Sequence, residues 1–367
     1  MLEGKRDGWK AFICLLPAMV ILIVFMFIPI IYSVLMSFMD NFNWADGGLI
    51  WFFNNTFDSF PSLEGYKSVL MDNNFVRALE NTLIMVVISV PLTIIIGLLL
   101  AVALNSIKKL QGLYQTIFFL PYVTNGIALG MVFNVMFGSY DTSLINTLFN
   151  LGDFNWMNVQ ASRWAMLVVI TVYTVWNGLA FKILVFMSGL QNIDKQYYDA
   201  ARIDGTSKAR ILTKITIPLL APQILYITIT SFIGAFKSYS SVISVFGGGP
   251  YQFGGASGNE WITVVGYVYK AMGMNEPGGY TRAASGAVLL LLLILFCTLI
   301  QFMVKNNSGS ISGRILEKQA LARRIQERKE LELRAKGIYP PIYVGKNKNR
   351  KIRLKVEIDD FDEKGGK

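Results

Sequence analysis

Six stretches of this chain are long and apolar enough to cross a bilayer, which takes about 20 helical residues. They are Ala11–Met39, Thr82–Leu104, Leu113–Gly138, Trp164–Leu190, Ile217–Phe246 and Ala283–Val304. Hydrocarbon offers no water to a backbone, so runs of this length must satisfy their amides internally, as helices. The fold class that follows is all-α, a polytopic membrane protein with six transmembrane helices. Charged residues make up 16% of the chain, against about 25% in soluble domains, so its 367 residues do not signal several soluble domains. Lys5, Arg6 and Lys10 precede the first run as in a signal peptide. That run is too long, however, and no small-residue cleavage site follows it, so it reads as a retained span.

Basic residues segregate between the connections. Lys5, Arg6 and Lys10 flank the start, Lys108 and Lys109 fill the second connection, and Lys195, Arg202, Lys208, Arg210 and Lys214 fill the fourth. The odd connections instead carry Asp40, Asp46, Asp58, Glu64, Asp72, Asp141 and Asp153. By the positive-inside rule both termini and residues 191–216 face the cytoplasm, and residues 41–80 form the largest external loop, rich in Trp and Phe. Residues 1–10 are then a cytoplasmic N-terminus, 11–304 the membrane domain and 305–367 a cytoplasmic tail. Pro17, Pro29, Pro91, Pro121, Pro218 and Pro222 lie in or beside spans, where neighbouring helices tolerate the kinks they make.

The chemistry available to the chain is narrow. It has no histidine, which removes the commonest metal ligand and the usual general base and speaks against an enzyme. Cys14 and Cys297 both lie in apolar runs, so neither a disulfide framework nor a metal site is expected. There is no phosphate-binding loop, since Gly345-Lys346 is followed by Asn347.

The hydrophilic island between the fourth and fifth runs has its own local logic. Asp194 is placed to cap a short helix over Lys195–Ile203, with Ile193, Tyr197 and Ala200/Ala201 on one face. Asp204-Gly205 reads as a helix stop. Thr206 or Ser207 is placed to cap a second helix in which Ile211, Leu212 and Ile215 repeat, and Pro218 marks the return to the membrane. An interfacial hairpin lying on the bilayer is the plain alternative.

The run Tyr198-Asp199-Ala200-Ala201, then Asp204-Gly205 and Ile215-Thr216-Ile217-Pro218, resembles the coupling loop of bacterial ATP-binding-cassette importer permeases. Asp199 stands where that family usually has Glu, keeping the charge with a shorter reach. Further motifs are similar to the carbohydrate branch: Leu15-Leu16-Pro17 with Phe27-Ile28-Pro29, Asn81-Thr82, Phe119-Leu120-Pro121, Gly248-Gly249-Pro250, Tyr267, Tyr269 and Ala271, and Ala283-Ala284-Ser285. The resemblance covers most of residues 9–304. It implies a permease subunit in the bacterial cytoplasmic membrane, passing a carbohydrate from an external solute-binding protein to the cytoplasm. Its implied partners are a second permease subunit, forming a heterodimer, and an ATPase dimer that uses ATP and Mg. This chain itself is expected to bind no cofactor. The resemblance assigns ATPase coupling to Tyr198, Asp199, Ala200, Ala201, Asp204 and Gly205. A polyol, a glycerol phosphate or a peptide fits the same build. An ion-coupled carrier fits less well, because such carriers place carboxylates in mid-membrane and none lies within the six runs.

Two candidate patches for a solute path come from the residues alone. Tyr173, Trp176 and Asn177 cluster on the fourth run, and Phe236, Lys237 and Tyr239 on the fifth, each offering aromatic faces and hydrogen-bonding groups. Packing and interface anchoring are the ordinary uses of such residues. Lys182 is expected to snorkel to the nearby cytoplasmic interface, and Lys237 either to snorkel outward or to face the cavity. In the second case an anionic saccharide is favoured. The tail from Lys305 carries 17 Lys and Arg against 9 Asp and Glu, so +8 of the chain's +10 lies there. Ser312–Ala335 reads as a charged helix and Lys351–Val356 as one arm of a small hairpin. Anionic headgroups are its expected contacts, or more sharply the ATPase or a regulator, and nucleic acid is not.

Overall fold

The computed structural model describes residues 5–42, 61–107, 109–138, 143–157, 161–247, 253, 260–273 and 278–303. Among these every regular element is helical. The tail helix and hairpin, the Gly248–Pro250 turn and residues 43–60 of the 41–80 loop lie outside the described residues.

Among the described residues four helices are long and apolar enough to span a membrane: Phe12–Ser37, Asn73–Ser106, Arg163–Gln191 and Gly279–Met303. Two bent pairs supply the remaining spans, Gln111–Val123 with Gly126–Phe137 (95°) and Lys208–Leu219 with Ala221–Phe236 (71°). The expected third span, Leu113–Gly138, is therefore broken rather than continuous. Pro121 brings the first half to its end, Thr124 turns extended, and the Asn125 side chain accepts from the Ile127 amide at 2.9 Å to start a new helix. The expected fifth span, Ile217–Phe246, is broken twice. Leu220 leaves the helix between Pro218 and Pro222, and Lys237–Tyr239 separate Ala221–Phe236 from a short helix at Ser240–Phe246.

Two Ile-Pro pairs have the same local consequence. A proline ring clashes with the carbonyl four residues back and offers no amide. Immediately before Pro29 and Pro218 the helix widens into single π-helical turns, Ile23–Phe27 and Leu212–Thr216, with Ile28 and Ile217 donating to the carbonyls of Ile23 and Leu212.

The second and fourth spans form the centre of the unit. At Gly97 they approach so closely that an added Cβ would lie 3.0 Å from Lys182 Cβ. One apolar core surrounds Met85, Met166, Ile170, Phe236 and Trp261. A second, nearer residues 191–216, surrounds Ile183, Phe186, Leu220 and Ile227. At the end remote from residues 191–216, polar side chains lace the helices to the segment 260–264. Asn81, fully buried, donates to the carbonyls of Glu260 (2.9 Å) and Ile262 (3.0 Å) and accepts from Arg163 Nη2 (2.8 Å). Thr82 Oγ1 accepts from the Val264 amide. Tyr267 donates to Asp72, which also caps the second span. The first span stands apart, with no buried residue between Phe12 and Phe27.

Candidate functional site

Residues 191–216 form the hairpin read from the sequence. Asp194 accepts from the Gln196 amide at 3.0 Å and caps the helix Lys195–Ile203. That helix ends in a six-to-one bond from the Thr206 amide to the Ala201 carbonyl, with Gly205 at φ +66°. An added Cβ on Gly205 would meet nothing within 4 Å, so only the left-handed backbone requires glycine there. Ser207 occupies the cap position of Lys208–Ile211 without a side-chain bond. The expected second helix is only these four residues before it widens into the π-helical turn.

Between the two arms lies an open groove of about 400 Å³. Tyr197, Ala200 and Ala201 of the first helix line it with Thr206 and Ile215 from beyond the turn, and with Asp194 and Asp204. Tyr198 instead points inward, its hydroxyl 3.3 Å from Thr216 Oγ1. Asp199 pairs with Arg202 at 3.3 Å on the exposed face, a surface ion pair of little consequence for stability. Ile193 leaves the expected face and packs on the second core. The hairpin is keyed to the bundle through Leu220, fully buried, whose Cδ2 lies 2.7 Å from where a Cβ on Gly189 would stand.

Above it, the second, fourth and fifth spans line an open polar cavity of about 320 Å³, within the ~300–1,000 Å³ of ordinary ligand pockets. Of the residues singled out by sequence, Tyr173, Asn177, Lys237 and Tyr239 line it. Two do not. Phe236 is 1% exposed and turns into the core, while Trp176 packs at 5.6 Å on Phe133 away from the cavity. Tyr239 stacks on Tyr269 at 4.2 Å with the rings nearly parallel.

Lys182 also lines the cavity, against the expectation that it snorkels to the end bearing residues 191–216. Its ammonium folds back over Gly178, 2.9 Å from where a Cβ on that glycine would stand, beside Thr93. The cause is general: helical side chains lean toward the N-terminus, so reaching the C-terminal end runs against the Cα–Cβ direction. Sequence reasoning also missed the hydroxyls of Ser89, Thr93 and Thr230. The four-residue spacing of Ser89 and Thr93 was the signal for a polar stripe on the second span.

Residues 70–312 match the family described as binding-protein-dependent transport system inner membrane component. The arabinooligosaccharides transport system permease protein AraP of Bacillus subtilis is 31% identical, covering 84% of this chain and 95% of that protein. The lactose transport system permease protein LacF of Rhizobium radiobacter is 30% identical, over 81% and 93%. Among solved structures, a bacterial transporter involved in the import of the acidic polysaccharide alginate superposes with a TM-score of 0.65 at 19% identity, over 82% of this chain and 97% of that one, a likeness of fold.

Proposed function

This chain belongs to the family of binding-protein-dependent transport system inner membrane components, and on that premise we propose that it is the permease subunit of an ATP-driven carbohydrate importer. It receives an oligosaccharide from an external binding protein and passes it to the cytoplasm of a bacterial cell. Relatives named for arabinooligosaccharide and lactose transport support the solute class. Residues 191–216 and both termini face the cytoplasm, as the segregation of Lys and Arg directs.

The observation that carries the reading is the groove between the arms of the 191–216 hairpin. Ala200 is exposed and Ala201 lines the same wall, so a partner helix can approach the backbone there. The partner is an ATPase dimer, which supplies ATP and Mg chemistry that this chain has no phosphate loop to perform. Asp204 lines the groove, Gly205 sets the turn, and Tyr198 braces the two arms through Thr216. Asp199 offers its carboxylate on the outer face. Movement of the ATPase reaches the membrane because Leu220, at the bend of the fifth span, is locked against the end of the fourth. The cavity lies between these same two spans and the second, so rocking them gates it. Tyr173, Asn177, Lys237 and Tyr239 line the solute path. The bare apolar surface of the first span faces lipid and the second permease subunit of a heterodimer.

Purification of the chain from its native membrane after mild cross-linking tests the proposal. A second permease, an ATP-binding-cassette ATPase and a solute-binding protein are expected in the eluate. Recovery of the chain without an ATPase contradicts it.

A further inference from the structure

Among its described lining residues the cavity holds two cations, Lys182 and Lys237, and no acidic side chain. None of the salt bridges found among the described residues involves either lysine. Lys182 is held in place: its stem passes Gly97, and its ammonium rests over Gly178, where the missing side chain makes room for it. The hydroxyls around it are committed differently. Thr93, Thr174 and Thr230 each donate to a carbonyl four residues back, at 2.5, 2.6 and 2.8 Å, which leaves their lone pairs turned to the cavity as acceptors. The two ammonium groups and the Asn177 amide thus face these accepting threonines, beside serine hydroxyls able to donate or accept, and only the ammonium groups carry charge.

We infer that the solute is anionic: a saccharide whose hydroxyls donate to the threonine wall and whose carboxylate or phosphoryl group is held by Lys182 and Lys237. An unpaired charge inside a membrane domain is expensive and marks a functional partner. A cavity walled by low-dielectric protein strengthens its attraction for an anion. A neutral sugar leaves both ammonium groups without a counter-charge, whereas an anionic one satisfies them as it enters. The inference rests on the carbohydrate-importer reading and sharpens its substrate class.

The test uses the assembled importer in its native membrane vesicles, binding protein included. The vesicles are offered a pooled polysaccharide hydrolysate holding neutral and uronate-bearing oligosaccharides, supplemented with hexose phosphates. Mass spectrometry reads which species accumulate only with ATP. The expected result is accumulation of an anionic species at least about tenfold above neutral ones, uronate or phosphate identifying which anion is carried. Lys182→Met and Lys237→Met should each reduce that uptake about tenfold at unchanged membrane level, and Lys182→Arg should retain most of it. Gly178→Ala, which crowds the ammonium without removing it, should also lower uptake. Lys237 is exposed, so its variant remains informative if Lys182→Met does not assemble. Accumulation of neutral sugars alone, or anion uptake unchanged in both methionine variants, overturns the inference and leaves the importer standing. Accumulation of no saccharide overturns the carbohydrate reading and this inference with it.

Discussion

Tyr173 reaches from the fourth span to the break in the third, where its hydroxyl donates to the Gly126 carbonyl at 2.7 Å. The ring is 2% exposed and meets Phe133 edge-on at 5.2 Å, so the same side chain fixes the 95° bend and forms part of the cavity wall. Tyr173→Phe keeps the packing and removes the bond. The expected loss is about 1 kcal/mol, seen as a lower melting temperature of the solubilised complex, with Tyr173→Ala losing several times more.

Asn81 joins three elements through its side chain: the second span, Arg163 at the start of the fourth, and the segment at Glu260–Ile262. Asn81→Ala removes the donor to the Glu260 and Ile262 carbonyls and an acceptor of the Arg163 guanidinium. A loss of about 3 kcal/mol is expected. Asn81→Asp keeps the bond to Arg163 but loses both donors and should fall between the two.

Gly130 lies where the second half of the third span meets the helix Ser240–Phe246. An added Cβ there would collide with the Ser244 side chain and sit 2.9 Å from its backbone carbon. Gly130→Ala should destabilise by about 1–3 kcal/mol. Adding Ser244→Gly should recover only part of this, because the backbone contact persists. Equal melting temperatures for Gly130→Ala and the parent would show that the two helices pack less closely than described.

Gly205 supplies a positive φ with open space around it. Gly205→Ala should therefore cost about 1 kcal/mol and leave partial transport. Gly205→Pro cannot adopt the angle and forfeits the amide bond to the Arg202 carbonyl. It should abolish uptake while the protein remains in the membrane. Normal uptake by Gly205→Pro would falsify the assignment of this hairpin to coupling.

Much of this architecture was legible in the sequence because bilayer crossing imposes a length and an apolarity that few alternatives share. The hairpin was legible for a different reason. Asp194 and Gly205 act through their own backbone neighbourhood, so their roles do not depend on the remote chain. The breaks at Thr124 and Leu220 were hidden because hydropathy stays high across a bend. Only Asn125 and the Pro218/Pro222 pair betray them. Phe236 and Tyr239 form one patch in the sequence, yet the chain leaves the helix between them and sends one ring to the core and the other to the cavity. Distance from the helix end alone points Lys182 to the cytoplasmic interface, but the tilt of its Cα–Cβ bond turns it back into the cavity.

The most direct test of the account is a cross-link from the hairpin. In a Cys14→Ser, Cys297→Ala background, Ala200→Cys places one thiol in the exposed groove, and Phe149→Cys, between the third and fourth spans, serves as the control. Native membranes treated with a short thiol-directed reagent should yield an adduct between Ala200→Cys and an ATP-binding-cassette ATPase, and none from Phe149→Cys. Absence of an ATPase adduct at Ala200→Cys, or equal adducts from both positions, contradicts the claim that this hairpin couples the cavity to a motor.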